Sequence, residues 1–233
     1  MARSFRLGGG DDKDPAGQHP ERSGQPASLC VEICQTRGVP EPVSVAIARR
    51  LLGATLHGRG VSVRLTEVEA YAGPRDPGSH AYRGRTARNA VMFGPAGHLY
   101  CYFTYGMHTC CNYVCGPEGE AAAVLLRAGQ VVEGLDLARE RRAGARDVDL
   151  ARGPARLTVA LGITLSDNGI DLNAAGAQVR LTPRARSLPS DRIRSGPRVG
   201  VSGPGGDGAA YPWRFWLDGE PSVSAYRVSR RPS

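Results

Sequence analysis

Glutamate and tyrosine cluster in VSVRLTEVEAYAG, Val61 to Gly73. The segment alternates with period two and reads as a strand, which sets Glu67, Glu69 and Tyr71 on one face and Val68 and Ala70 on the other. The polar face is either turned to solvent or is a carboxylate lining a cleft with a phenol beside it. In a cleft, Glu69 could take a proton from water. Tyr100, Tyr102 and Tyr105 fall close together, next to Phe103 and Met107. A tyrosine has a flat apolar body and a polar tip, so this group is either core packing or a stacking platform for a planar ligand such as a base. Tyr105 precedes Gly106, which would let a side chain project from a tight turn. His80 sits in a polar loop, as a surface histidine or as a positioned hydrogen-bond group. No His or Cys stands at ligand spacing around it, so zinc is not expected. Arg127 closes the apolar run AVLLR, as a strand end reaching water or as a buried, paired arginine.

Composition limits the chemistry further. Lys and Arg total 30, yet Lys13 is the only lysine, so a mechanism needing a lysine amine in a folded site is nearly excluded. There is no phosphate-loop motif and no dinucleotide fingerprint, and neither a cofactor nor a metal is expected. Of the six cysteines, Cys110, Cys111 and Cys115 lie in an apolar, strand-like stretch and read as buried reduced thiols, as in a cytoplasmic compartment. No run of about 18 apolar residues offers a membrane span, and Met1 to Gly10 lacks the apolar core of a secretory signal.

The elements that must hold these side chains can be read along the chain. Residues 1–30 are polar, rich in Gly and Pro and electrically neutral, and read as a disordered tail ahead of one folded domain, 31–233. The net charge of +8 therefore falls on the domain, which is compatible with a polyanionic partner. Helices are expected at Glu41–Gly53, Val132–Arg142 and Pro154–Leu161. Strands are expected at Val61–Gly73, at His98–Gly116 with a break at Gly106, at Ala121–Gln130, and in PRVGVSG and PWRFWLDG. Residues 74–95 read as loop. The six arginines between Arg180 and Arg198 face one acid, Asp191, as a solvated loop or a phosphate contact. Short strands without regular βαβ alternation indicate an α+β fold with a mainly antiparallel sheet.

Several dense motifs occur in one order: TEVEAYAGPRDPGSH, RTARNAVMFGPAGHLYCYFTYGMHTCCN, AVLLRAG, RGPARLTVALGI, PRVGV and PWRFW. Together they resemble the alkyladenine (3-methyladenine) DNA glycosylase family over about residues 40–226. The resemblance implies a single domain with a curved antiparallel sheet flanked by short helices, like the C-terminal domain of a formyltransferase. It implies a monomer that acts on double-stranded DNA containing damaged purines, in a cytoplasm of bacterial type and at the nucleoid. It further implies that Glu69 is the general base and that Arg127 lies near Glu69 and the attacking water. Main-chain atoms around Val199 to Val201 would help hold that water. Tyr71, His80 and Tyr102 would hold the flipped base, and Asn112 would disfavour a guanine-type exocyclic amine. Tyr105 would wedge into the duplex with Met107 beside it. His108, Arg184 and Arg186 are further candidates for DNA contact. The reaction implied is hydrolysis of the N-glycosidic bond of alkylated or deaminated purines without strand cleavage. The alternative is a catalytically silent damaged-DNA-binding module of the same fold. Departures from the family pattern at His108, Cys111 and the loop Pro117–Glu120 bear on substrate breadth more than on the reaction.

Overall fold

The first helix, α1 (Val43–Leu51), starts behind Pro42 and buries Val45, Ile47, Ala48 and Leu51 along one stripe. Gly53, at φ +79°, then turns the chain into β1 (Thr55–Gly58). The structure, a computed structural model, describes residues 41–104 and 106–226. The expected tail, Cys30, Cys34 and Tyr105 lie outside the described residues.

The other strands are β2 (Val61–Tyr71), β3 (Leu99–Thr104), β4 (His108–Val114), β5 (Ala123–Glu133), β6 (Val179–Thr182), β7 (Ile193–Gly196) and β8 (Arg214–Leu217). They form one eight-stranded sheet in the order β3-β4-β5-β2-β1-β6, with β8 joining β2 and β7 joining β8. Every strand pairing among the described residues is antiparallel. Helices α2 (Leu135–Arg141) and α3 (Pro154–Leu161) join α1 in the main core. Pro154 opens α3, and Gly162, at φ +68°, closes it by donating to the carbonyls of the preceding turn. The fold is thus α+β, as expected.

Alternation along β3 and β4 splits the sheet into two faces. Cys101, Cys111 and Tyr113 enter the main core beneath the helices, while Tyr100 and Val114 join a smaller cluster on the opposite face with Ala81 and Met92. β2 does not alternate evenly. Its core residues are Val61, Val63 and Leu65, then Val68 and Ala70. The change of phase coincides with register shifts on either side of Glu67, where Leu65 pairs with Gly129 but Val68 pairs with Leu126. Such a bulge re-aims the side chains that follow it. Here it turns Glu67 and Glu69 away from the helix-covered core, and both are fully buried, which removes the solvent-face alternative.

Three expectations change. β5 continues to Glu133 because Val131 and Glu133 pair with Val63 and Ser62, so the helix expected from Val132 starts only at Leu135. PRVGVSG forms no strand: its backbone is irregular and bends over the end of β2. The stretch read as a loop from Arg180 to Arg198 contains part of β6 and all of β7.

Candidate active site

A cavity of about 670 Å³ opens on the sheet face opposite the main core. Its walls include Tyr71, His80, Tyr100, Tyr102, Cys110, Asn112, Arg127 and the irregular segment 199–202. Tyr100 and Tyr102 alternate on β3 and therefore share a face, with ring centroids 5.7 Å apart and planes 27° from parallel. His80 stands edge-on to Tyr102 at 4.6 Å, and its Nδ1 lies 3.3 Å from the Tyr100 hydroxyl. Asn112, opposite Tyr100 across the hairpin, donates Nδ2–H to the Tyr100 carbonyl at 3.2 Å. Burial, then the nearby charge of Arg88, lowers the His80 pKa below its ordinary 6.5, so the ring is neutral at pH 7. Burial, and then Cys110, push the Tyr102 phenol upward, so it stays protonated.

Glu69 lies directly behind this wall. One carboxylate oxygen accepts the Val199 amide proton at 2.7 Å and lies 3.3 Å from an Arg127 nitrogen. The other accepts the Tyr71 hydroxyl at 2.9 Å. The carboxylate itself is sealed from solvent, with the Tyr71 phenol, Arg127 and Val199 between it and the cavity. Burial, and then the charge of Glu69, raise the Tyr71 pKa well above its usual value, so the phenol remains a donor.

Arg127 is the buried, paired form of the two readings its sequence allowed. Its Nε donates to Glu67 at 2.9 Å. Burial opposes the guanidinium charge, but Glu69 and Glu67 more than offset this and hold its proton tightly. Glu67 also accepts from Arg214 at 2.7 Å and from the Ser224 amide at 2.7 Å. Burial alone would raise the Glu67 pKa; Arg127, Arg214 and Ser224 outweigh it and hold the group below its usual value.

A second clamp fixes the Val199 segment. The Arg198 guanidinium, 1% exposed, bridges both oxygens of Asp76 at 2.6 and 2.7 Å and donates to the carbonyls of Ala70 and Gly205. It also lies 4.6 Å from the centroid of the Tyr71 ring. Asp76 accepts two further bonds, from the Ala72 and Gly78 amides. Three carboxylates (Glu67, Glu69, Asp76) thus meet three guanidiniums (Arg127, Arg214, Arg198) in one buried layer. The layer pairs each buried carboxylate with a buried guanidinium.

The structure therefore brings Glu69, Tyr71, His80, Tyr102, Asn112 and Arg127 together. Met107, 68% exposed, and His108 lie on the β3–β4 hairpin at the surface beyond the cavity, and Gly106 in that turn has φ +65°. Arg184 is turned inward, one nitrogen donating to the carbonyls of Arg49, Arg50 and Leu52 at the end of α1. That bonding is structural, whereas Arg186 is exposed. Arg198, counted in sequence within the basic stretch, is a buried strut. Sequence reasoning assigned no role to Glu67, Asp76, Arg214 or Ser224. Only the Glu-x-Glu spacing hinted at one of them. The cysteines Cys101, Cys110, Cys111 and Cys115 are buried, and burial pushes the Cys101 thiol up to about 12. Among the described residues no three His, Cys, Asp or Glu side chains converge as a metal site would, and no helix is long and apolar enough to cross a membrane.

Comparison with known proteins follows the same residues. The sequence model of the family described as methylpurine-DNA glycosylase matches residues 40–221. A Nocardia farcinica protein named "Putative 3-methyladenine DNA glycosylase" is 59% identical over 190 residues, covering 79% of this chain and 87% of its own length. Proteins of the same name from Streptomyces avermitilis and Mycobacterium tuberculosis are 56% and 54% identical, covering 77% and 80% of this chain and 83% and 91% of their own. The match runs through all eight strands and the whole cavity wall. The chain belongs to the methylpurine-DNA glycosylase family of DNA-repair hydrolases.

Proposed function

We propose that the protein is a monofunctional glycosylase that flips an alkylated or deaminated purine out of duplex DNA and hydrolyses its N-glycosidic bond. The substrates in this reading are 3-methyladenine, 7-methylguanine, hypoxanthine and ethenoadenine. The observation that carries it is the Glu69 carboxylate, oriented by Val199, Tyr71 and Arg127 directly behind the wall of an aromatic cavity.

The glycosidic bond is inaccessible inside a duplex, and extrusion costs a few kcal/mol of stacking and pairing. Filling the gap from the β3–β4 hairpin, with Tyr105 as wedge and Met107 beside it, offsets part of that loss. The flipped base enters between Tyr71, His80 and Tyr102, and each aromatic stack contributes about 1–3 kcal/mol. A positively charged N-alkyl purine is drawn to these π faces, and a neutral His80 does not repel it. Asn112, on the same cavity wall, disfavours a guanine-type exocyclic amine in this reading.

Bond cleavage builds positive charge on the sugar, as in other glycoside hydrolysis. The electron pair of the bond leaves with the base, the water oxygen bonds to the anomeric carbon, and the water proton passes to Glu69. The carboxylate has no solvent contact in the resting fold, so in this reading the water reaches it by taking the place of one of its present donors, the Tyr71 hydroxyl or the Val199 amide. Arg127 fixes the carboxylate and balances its charge. The product is an intact abasic site, and a monomer acting at the nucleoid suffices.

The test is excision from a labelled duplex carrying ethenoadenine or hypoxanthine, in EDTA. The expected result is strand cleavage visible only after alkali. Absence of product with those lesions and with 3-methyladenine, while lesion binding persists, would replace this reading with a silent binding module.

A further inference from the structure

Two shallow depressions continue from the base cavity along the surface. The first, about 390 Å³, shares Arg127 and Val199 with the cavity and is walled by Asp149, Arg152, Arg156 and Ser224. The second, about 470 Å³, shares Asp149 and Arg156 with the first and adds Arg142 and Arg146. The run leads from the arginine on Glu69 to the connection between α2 and α3.

Beyond Arg127, four guanidiniums on this run face one carboxylate, and two of them also donate to carbonyls, Arg142 to Leu150 and Arg152 to Val223. Asp149 holds Arg146 at 2.7 Å, but Arg152 lies at 3.4 Å and Arg156 at 3.9 Å. The nearby Asp147 is bound on both oxygens by Arg139 and offers no relief. Arg142 holds its proton less tightly than usual, first through burial and then through repulsion from Arg156. The side chains of Arg146 and Arg156 are 77% and 50% exposed, so they can swing onto a ligand.

We propose that this run is a phosphate track that takes the DNA backbone flanking the flipped nucleotide. The proposal rests on the glycosylase reading. An excess of cations beside the site where the sugar must sit is what a polyanionic strand needs, and backbone contact requires charge rather than side-chain spacing. The stretch 180–198, the most basic in sequence, fits less well. Of its six arginines, Arg198 is buried, Arg184 is spent on α1, and Arg194 pairs with Asp218 at 2.8 Å.

The test uses the full chain and a fluorescent lesion-free duplex, with the dissociation constant measured across a sodium chloride series. Loss of one phosphate contact lowers the slope of log affinity against log salt by about 0.9. Arg146→Gln combined with Arg156→Gln should lower it by about 2, with weaker binding at 0.1 M salt and a melting temperature close to wild type. Arg146→Gln alone should lower it by about half as much, and serves if the double variant folds poorly. An unchanged slope overturns the proposal, as does a slope that falls only in Arg180→Gln with Arg192→Gln. Calorimetric titration with inorganic phosphate separates the two sources of the anion. Phosphate binding that is lost in the double variant while the DNA slope is unchanged would assign the run to a free anion and also overturn the proposal. Excision by the wild type in the same buffers tests the glycosylase reading independently.

Discussion

At the scale of single residues, Glu69, the proposed base, is positioned through other buried charged groups. Glu67 illustrates this. It anchors Arg127 and Arg214, so the guanidinium facing Glu69 has a fixed address. Removing one partner of a buried ion pair costs about 3–5 kcal/mol, and Glu67→Gln should destabilise the protein by an amount of that order in a urea melt. The pH dependence has a definite sign. Because the folded-state pKa of Glu67 lies below its ordinary value of 4.5, its contribution is complete above that value. It is lost as pH falls through the lower, folded value. The wild type should therefore lose stability in acid more steeply than Glu67→Gln, with the two curves drawing together at low pH. Parallel curves would show that Glu67 is not held as an anion. Local pattern alone left Glu69 and Arg127 open between a solvent-facing and a buried place, and only the family resemblance singled them out together. Asp76 and Arg198 carried no local signal. They stand 122 positions apart, and only the folded chain reveals that they are each other's partner.

At the scale of elements, placement of the site is the work of a bulge and a tight strand end. The phase change at Glu67 lets one strand serve the core with Val61, Val63 and Leu65 and then present Glu67 and Glu69 to the opposite side. Even alternation in the sequence conceals this, since the extra residue is defined only by the pairing with β5. Gly73 ends the same strand at φ +60°, and an added Cβ there would meet the Ala121 carbonyl oxygen at 2.1 Å. Gly73→Ala should thus combine backbone strain with a backbone clash and lower the melting temperature by several degrees, with a loss of excision because Tyr71 and Asp76 flank the turn. Gly84→Ala is the control: its φ of +91° is also strained, but a Cβ would meet nothing within 4 Å. It should cost about 1 kcal/mol and leave excision near wild type. Equal effects of the two would remove the clash from the account. The long strands, α1 and α3 were readable from periodicity and from Pro and Gly punctuation. The four-residue strands β1, β6 and β7 were not, because they lack the aromatic run that marks the equally short β8 and are extended chiefly by their neighbours in the sheet.

At the scale of the whole molecule, charge and composition agree with the site. A net charge of +8 suits a partner made of phosphates. The scarcity of lysine bears on the reaction. With Lys13, outside the described residues, the only lysine, a Schiff base with the abasic sugar has no amine side chain within residues 41–226 to form it. Borohydride added during turnover should trap no covalent protein–DNA adduct, and a trapped adduct would show a lyase activity that this account does not contain. The central claim is that Glu69 activates the water. It is tested most directly by single-turnover excision of ethenoadenine with wild type and Glu69→Gln, alongside lesion binding by the same two proteins. The rate should be at least about 10²-fold lower in the variant with lesion binding retained, the scale on which a general base contributes. Excision by Glu69→Gln at close to the wild-type rate would contradict it.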